Sequence, residues 1–126
     1  MRLKGTMTEQ TYRNELQRSY DSLFKTESGK MMRICIEQAV GHFITAYILH
    51  WIPEQGADFF TLLVDGQTIV HMEIEYAPSS SREEKASPQL VDYTSYKIHD
   101  YTKGLSKTDQ IKFEVALDMC HRDMNP

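Results

Sequence analysis

Three carboxylates, Asp58, Glu73 and Glu75, lie within the stretch "GADFFTLLVDGQTIVHMEIEY", residues 56–76, which otherwise reads as two apolar strands around an Asp-Gly turn. If the hairpin loop is Asp65 and Gly66 alone, Val64 faces Gln67, and counting outward puts Asp58 directly opposite Glu73. Side chains alternate across a strand, so Glu75 joins Glu73 and Asp58 on one face at the open end of the hairpin. Like charges set opposite one another destabilise a bare hairpin, so the cluster predicts a compensating divalent cation. Mg2+ suits such a site, because it takes carboxylate oxygens, keeps several waters and leaves positions for a substrate. An ion held in this way activates water and stabilises charge developing on a phosphoryl group. The plainer alternative is that Asp58 and Glu75 face solvent where a sheet edge frays, since charged side chains are mostly exposed.

The elements that must position these acids are partly written in the spacing of apolar residues. Thr6-x-x-Glu9 has the form of a capping box, and Tyr12, Leu16, Tyr20, Leu23 and Phe24 then recur at helical spacing, predicting a helix over about residues 8–25. After Ser28 and Gly29, Met32, Ile36, Ala39, Val40 and Phe43 share one face of a second helix that ends near Gly41, although Met32, Ile34 and Ile36 also alternate as a strand would. "HFITAYILHW", rich in β-branched and aromatic residues and closed by "IPEQG", reads as a strand ahead of the hairpin. "APSSSREEKAS", residues 77–87, is a polar loop. Ser87-Pro88 as N-cap and first-turn proline, with Gly104 as a stop, predicts a helix through "QLVDYTSYKIHDY", against the strand-like Thr, Tyr and Ile content of that segment. Ser106-x-x-Asp109 caps a last helix with Phe113, Leu117 and Cys120 on one side and Ile111 and Val115 beside them.

With these elements in place, the pattern of an Asp opening an apolar strand, a tight turn and a second apolar strand ending in Glu-x-Glu is similar to the PD-(D/E)XK nuclease superfamily. "YDSLFKTESGKMMRICIEQAVG" resembles the D-x-x-F-K opening of its transposase-related, Rpn-like group, and "QLVDYTSYKIHDY" resembles the helix that follows the active-site hairpin there. The resemblance spans residues 19 to about 102 and implies an α+β fold. Its restriction-endonuclease-like core would comprise helices, a three-stranded antiparallel meander and a helix, here with an extra C-terminal helix. It also implies Mg2+- or Mn2+-dependent cleavage of DNA, with Asp58 and Glu73 as metal ligands and Glu37 as the acid contributed by the preceding helix. Glu75 would hold the place usually taken by Lys or Gln, which orients the attacking water, and Lys97 is the candidate for a relocated cation. The departure at Glu75 motivates a rival reading: a non-catalytic interaction protein, such as an inhibitor, an immunity-type partner or a regulatory subunit, that keeps the fold without the chemistry. A dimer fits either reading, since cutting both DNA strands uses two copies.

Composition limits the remaining classes. The 126 residues suit a single domain, and the net charge of -4 with a pI near 5.7 excludes nucleic-acid binding through bulk charge. Cys35 and Cys120 have no paired spacing and read as free thiols. His71, two residues before Glu73 on the same strand face, reads either as an auxiliary ligand or, with Phe60 as its expected cross-strand neighbour, as a partly buried structural histidine, and no histidine has the spacing of a zinc enzyme. No phosphate-binding glycine motif or nucleophile elbow is present, and Ser79, Ser80 and Ser81 are a loop tract. Tyr93, Tyr96 and Tyr101, with Lys97 among them and Lys103 just beyond, read either as a stacking surface for nucleic acid or as a stripe packed on the sheet. The amino terminus lacks a signal-peptide core and no apolar run approaches about 20 residues, so the expectation is a cytoplasmic protein without a membrane partner.

Overall fold

The computed structural model describes residues 7–77 and 87–125, so Thr6 of the predicted capping box and most of the polar loop, with Ser79, Ser80 and Ser81, lie outside the described residues. The first helical pattern forms α1, Met7–Phe24, with Leu16 and Leu23 buried. The second forms α2, Glu27–Val40. It starts where the Thr26 side chain accepts a hydrogen bond from the Gly29 amide and ends at Gly41, whose φ of 82° is a conformation that glycine adopts without strain. Gly29 is required for another reason. A Cβ there would sit 2.0 Å from the Ser22 carbonyl oxygen, so only glycine lets the last turn of α1 lie on the first turn of α2.

Strands β1 (Ala46–Glu54), β2 (Ala57–Val64), β3 (Thr68–Ala77) and β4 (Ser87–Lys97) form one antiparallel meander in the order β1-β2-β3-β4. The chain then makes a single helical turn, α3 (Ile98–Tyr101), before α4 (Lys107–Met124), which Ser106 caps by accepting the Asp109 amide. The fold is therefore α+β, with four strands where three were expected.

The predicted helix through "QLVDYTSYKIHDY" is corrected: residues 87–97 are strand, and only Ile98–Tyr101 is helical. Alternating β-branched and aromatic residues outweighed the Ser-Pro cap signal, because they complete a sheet that has an apolar neighbour waiting in β3. Pro88 is tolerated since β4 is the last strand of the sheet, where an absent amide breaks no ladder on the outer side.

The sheet is covered on both faces, but over different lengths. On one face α2 and the end of α1 bury Ile36, Phe60, Leu62, Val70, Met72 and Ile74. On the other, α4 buries Tyr47, Leu49, Leu63, Ile69, Phe113 and Met119. α1 ties the layers together along β1: Ser19 Oγ accepts the Ile48 amide at 3.2 Å, and Arg13–Asp118 and Glu15–Lys112 ion pairs join α1 to α4. Cys35 and Cys120 are free, buried, and on opposite faces. Among the described residues no helix is long and apolar enough to cross a membrane.

Candidate functional site

The Asp-Gly turn forms as its sequence requires. Asp65 and Gly66 have φ of 55° and 69°, and the Gln67 amide donates to the Val64 carbonyl at 3.1 Å. Strand pairing, however, resumes at Val64 opposite Thr68, so Gln67 is one extra residue between turn and ladder. That residue moves the whole of β3 by one position against β2.

The consequence corrects the expected geometry of the acids. Asp58 lies opposite Ile74, Glu73 opposite Phe59 and Glu75 opposite Ala57. Because side chains alternate, Asp58 is on the α2 face while Glu73 and Glu75 are on the α4 face, and the three do not converge. Among the described residues, no three His, Cys, Asp or Glu side chains are grouped to hold a metal ion. Glu37 is elsewhere again, on the outer side of α2 in a shallow depression with Lys30 and Arg33. Lys97 pairs with Thr68 at the turn end of β3, about 17 Å along the strand from Glu73 at the usual rise per residue.

His71 bridges strands. Its Nδ1 is 2.8 Å from Thr61 Oγ1 and its Nε2 meets the Tyr96 hydroxyl, so a polar chain crosses β2, β3 and β4. Its partner is Thr61 and not the expected Phe60, which is again the work of the extra residue. Burial, with a smaller contribution from His50, holds its pKa below the usual value of 6.5 and keeps the ring neutral. The tyrosines divide. Tyr96 and Tyr101 pack in the α4 layer, Tyr101 against Phe113, whereas Tyr93 is exposed.

The feature that motif reading did not find is at the end of the sheet away from the turn. A bulge in β1 places Ile48 opposite Leu62 but His50 opposite Thr61, leaving Leu49 as the extra residue. Trp51 is thereby turned onto Phe60, with ring centroids 6.3 Å apart and planes 7° from parallel. Trp51 is nonetheless 58% exposed and Ile52 57%. Trp51 forms part of a groove of about 550 Å³ on the α2 face, whose apolar lining includes Leu23, Met31, Met32 and Phe60.

Asp58 is the acid that enters this groove, and the Tyr76 hydroxyl donates to its Oδ2 at 2.7 Å. Burial, then the neighbouring carboxylate, pushes Tyr76 up to about 12, so it stays a neutral donor. On the other face a smaller depression of about 420 Å³ takes in Ile52, Phe59, His71, Glu73 and Asp92. The sequence does carry a signal for this end. Trp51 and Ile52 are consecutive, and neighbours on a strand point to opposite faces, so burying both would need cover on both sides ahead of Pro53.

None of the protein-family models, curated proteins or solved structures compared with the chain matches it.

Proposed function

We propose that the protein is a non-catalytic binding module that docks an apolar segment of a partner protein at the open end of its sheet. The observation that carries this reading is the exposed Trp51, stacked on Phe60 beside a groove lined by Leu23, Met31 and Met32. Apolar surface of this kind, concentrated at one end and rimmed by polar groups, marks an interaction site, and tryptophan is over-represented among residues that dominate binding energy. The groove also falls in the usual range of roughly 300–1,000 Å³ for sites that enclose a ligand group.

Selection from a random peptide library tests it. Enriched peptides should bind the wild type and lose at least about tenfold in affinity for a Trp51→Ser, Ile52→Ser double variant. Failure to enrich any sequence, or equal binding to both proteins, would overturn the reading.

A second reading is metal-dependent DNA cleavage by a PD-(D/E)XK-type domain with a restriction-endonuclease-like core. Its support is that Glu73 and Glu75 share the α4 face, with Asp92 opposite Glu73 on β4. Mg2+ and Mn2+ titration into the wild type and a Glu73→Ala variant separates the two. Binding that the variant loses, with cleavage that follows it, favours the nuclease; no binding in either protein leaves docking alone.

A further inference from the structure

We infer that the docked segment is anchored by a cationic side chain, Lys or Arg, whose alkyl stem lies along Trp51 and Phe60 and whose charged head meets Asp58. This inference rests on the docking reading above and names the chemistry of its partner. The first argument is charge. Glu27 and Asp58 line the groove on the α2 face, Glu54, Glu73 and Asp92 line the depression on the other, and among the described residues no Lys or Arg lines either. The basic residues of α2, Lys30 and Arg33, are turned to a separate depression on its outer side. The described lining of the open end is therefore acidic with apolar walls, which favours a cationic group over a phosphate.

The second argument is the state of Asp58 itself. It is half-buried, and the Tyr76 hydroxyl donates to one of its oxygens, while among the described residues no Lys or Arg pairs with it. An ionised carboxylate accepts at about four lone-pair sites, so one hydroxyl leaves acceptor capacity for a guanidinium or ammonium group. A tyrosine that stays protonated also fixes the carboxylate without neutralising it. The third argument is shape. Lys and Arg carry an apolar stem below a charged head, and an aromatic pair beside a carboxylate matches both parts. An uncharged apolar side chain would fill the walls and desolvate Asp58 without supplying a compensating charge, which is unfavourable.

Trp51 is the chain's single tryptophan, so its fluorescence reads the groove directly. Three probes with one alkyl chain and different heads separate the contributions: n-hexylguanidinium, 1-hexanol and hexanoate. The cation should bind about tenfold more tightly than the alcohol, as expected for one charge-assisted hydrogen bond at a half-exposed site, and hexanoate more weakly than either. Asp58→Asn keeps an acceptor for Tyr76 and should bring the cation to the level of the alcohol, whose own affinity stays unchanged. Asp100→Asn, on α3 and away from both depressions, should preserve the preference.

Equal binding of the three probes, no binding of any, or a preference lost in Asp100→Asn and kept in Asp58→Asn would each overturn the inference. So would a cation preference seen only after Arg82→Ser and Lys85→Ser, two bases outside the described residues, since the chain itself would then be the occupant. If the probes fail to discriminate while selected peptides still require Trp51, the anchor is wrong and docking stands. If no peptide is selected, docking itself fails.

Discussion

The two ends of the sheet are built from the same strands and end in opposite conditions. At the Asp65-Gly66 end both faces are covered and the polar groups are bound. Asp65 Oδ1 accepts the Ile44 and Thr45 amides, Asp123 accepts the Thr45 and Tyr47 hydroxyls, and a Cβ on Gly66 would lie 3.3 Å from the Cys120 Cβ of α4. At the other end Trp51, Ile52 and Tyr93 are exposed and acids line both faces. Apart from Ile44, the apolar residues of the first end are buried by the chain's own helices, while among the described residues nothing covers Trp51 and Ile52 to the same extent. Stability should therefore reside at the turn end and recognition at the open end.

The largest expected effect tests the first half of that statement. Leu63 is fully buried among Tyr47, Ile69, Phe113 and Met119, where α4 meets the sheet. Leu63→Ala should cost about 3 kcal/mol in urea denaturation, combining lost transfer energy with the cavity left behind. A loss below about 1 kcal/mol would mean that the turn end is loosely packed and that the contrast between the ends is false.

A smaller effect belongs at the boundary between the two ends, where His71 joins Thr61 to Tyr96. Burial favours its neutral form, so the folded protein gives up the His71 proton more readily than the unfolded chain does. Above the ordinary value of 6.5 both states are neutral and the contribution is fully present; as pH falls through 6.5 the unfolded chain takes up a proton first, and stability declines. Melting temperature followed from about pH 8 to pH 5 should fall, and His71→Gln should flatten that fall. An unchanged slope in the variant would assign the dependence to other groups.

How far the sequence disclosed this arrangement depends on what kind of signal each part required. Helical spacing placed α1, α2 and α4, and the Ser106 cap placed the start of α4, because those signals are local; Ser28 and Gly29, read as the break before α2, instead lie in its first turn. The Asp-Gly turn was equally legible, but the pairing beyond it was not, since one extra residue, Gln67, exchanges every face of β3. The information was present in a different form. Phe60, Leu62 and Val64 form one apolar set, and Val70, Met72 and Ile74 another, and only the longer loop places both on one face. Hydrophobic alternation outweighed turn length, and the acids Asp58 and Glu73 were carried apart with it. The strand at residues 87–97 failed for a related reason: its partner, β3, lies across a loop, so local cap signals pointed the wrong way.

The smallest expected change in stability carries the most information about function. Trp51 is large and aromatic, yet its ring makes one face-to-face contact, with Phe60, and most of its surface meets solvent. Trp51→Ala should therefore lower stability by less than about 1 kcal/mol, well under the effect of the smaller Leu63, and leave the cooperativity of unfolding unchanged. Peptide binding should be lost in the same variant. The inversion is the point: a residue whose removal costs little in folding and much in binding is one that the fold holds in reserve for a partner. Were Trp51→Ala to destabilise the protein as much as Leu63→Ala, the tryptophan would be part of the core, and the open end would be only its thinly covered margin.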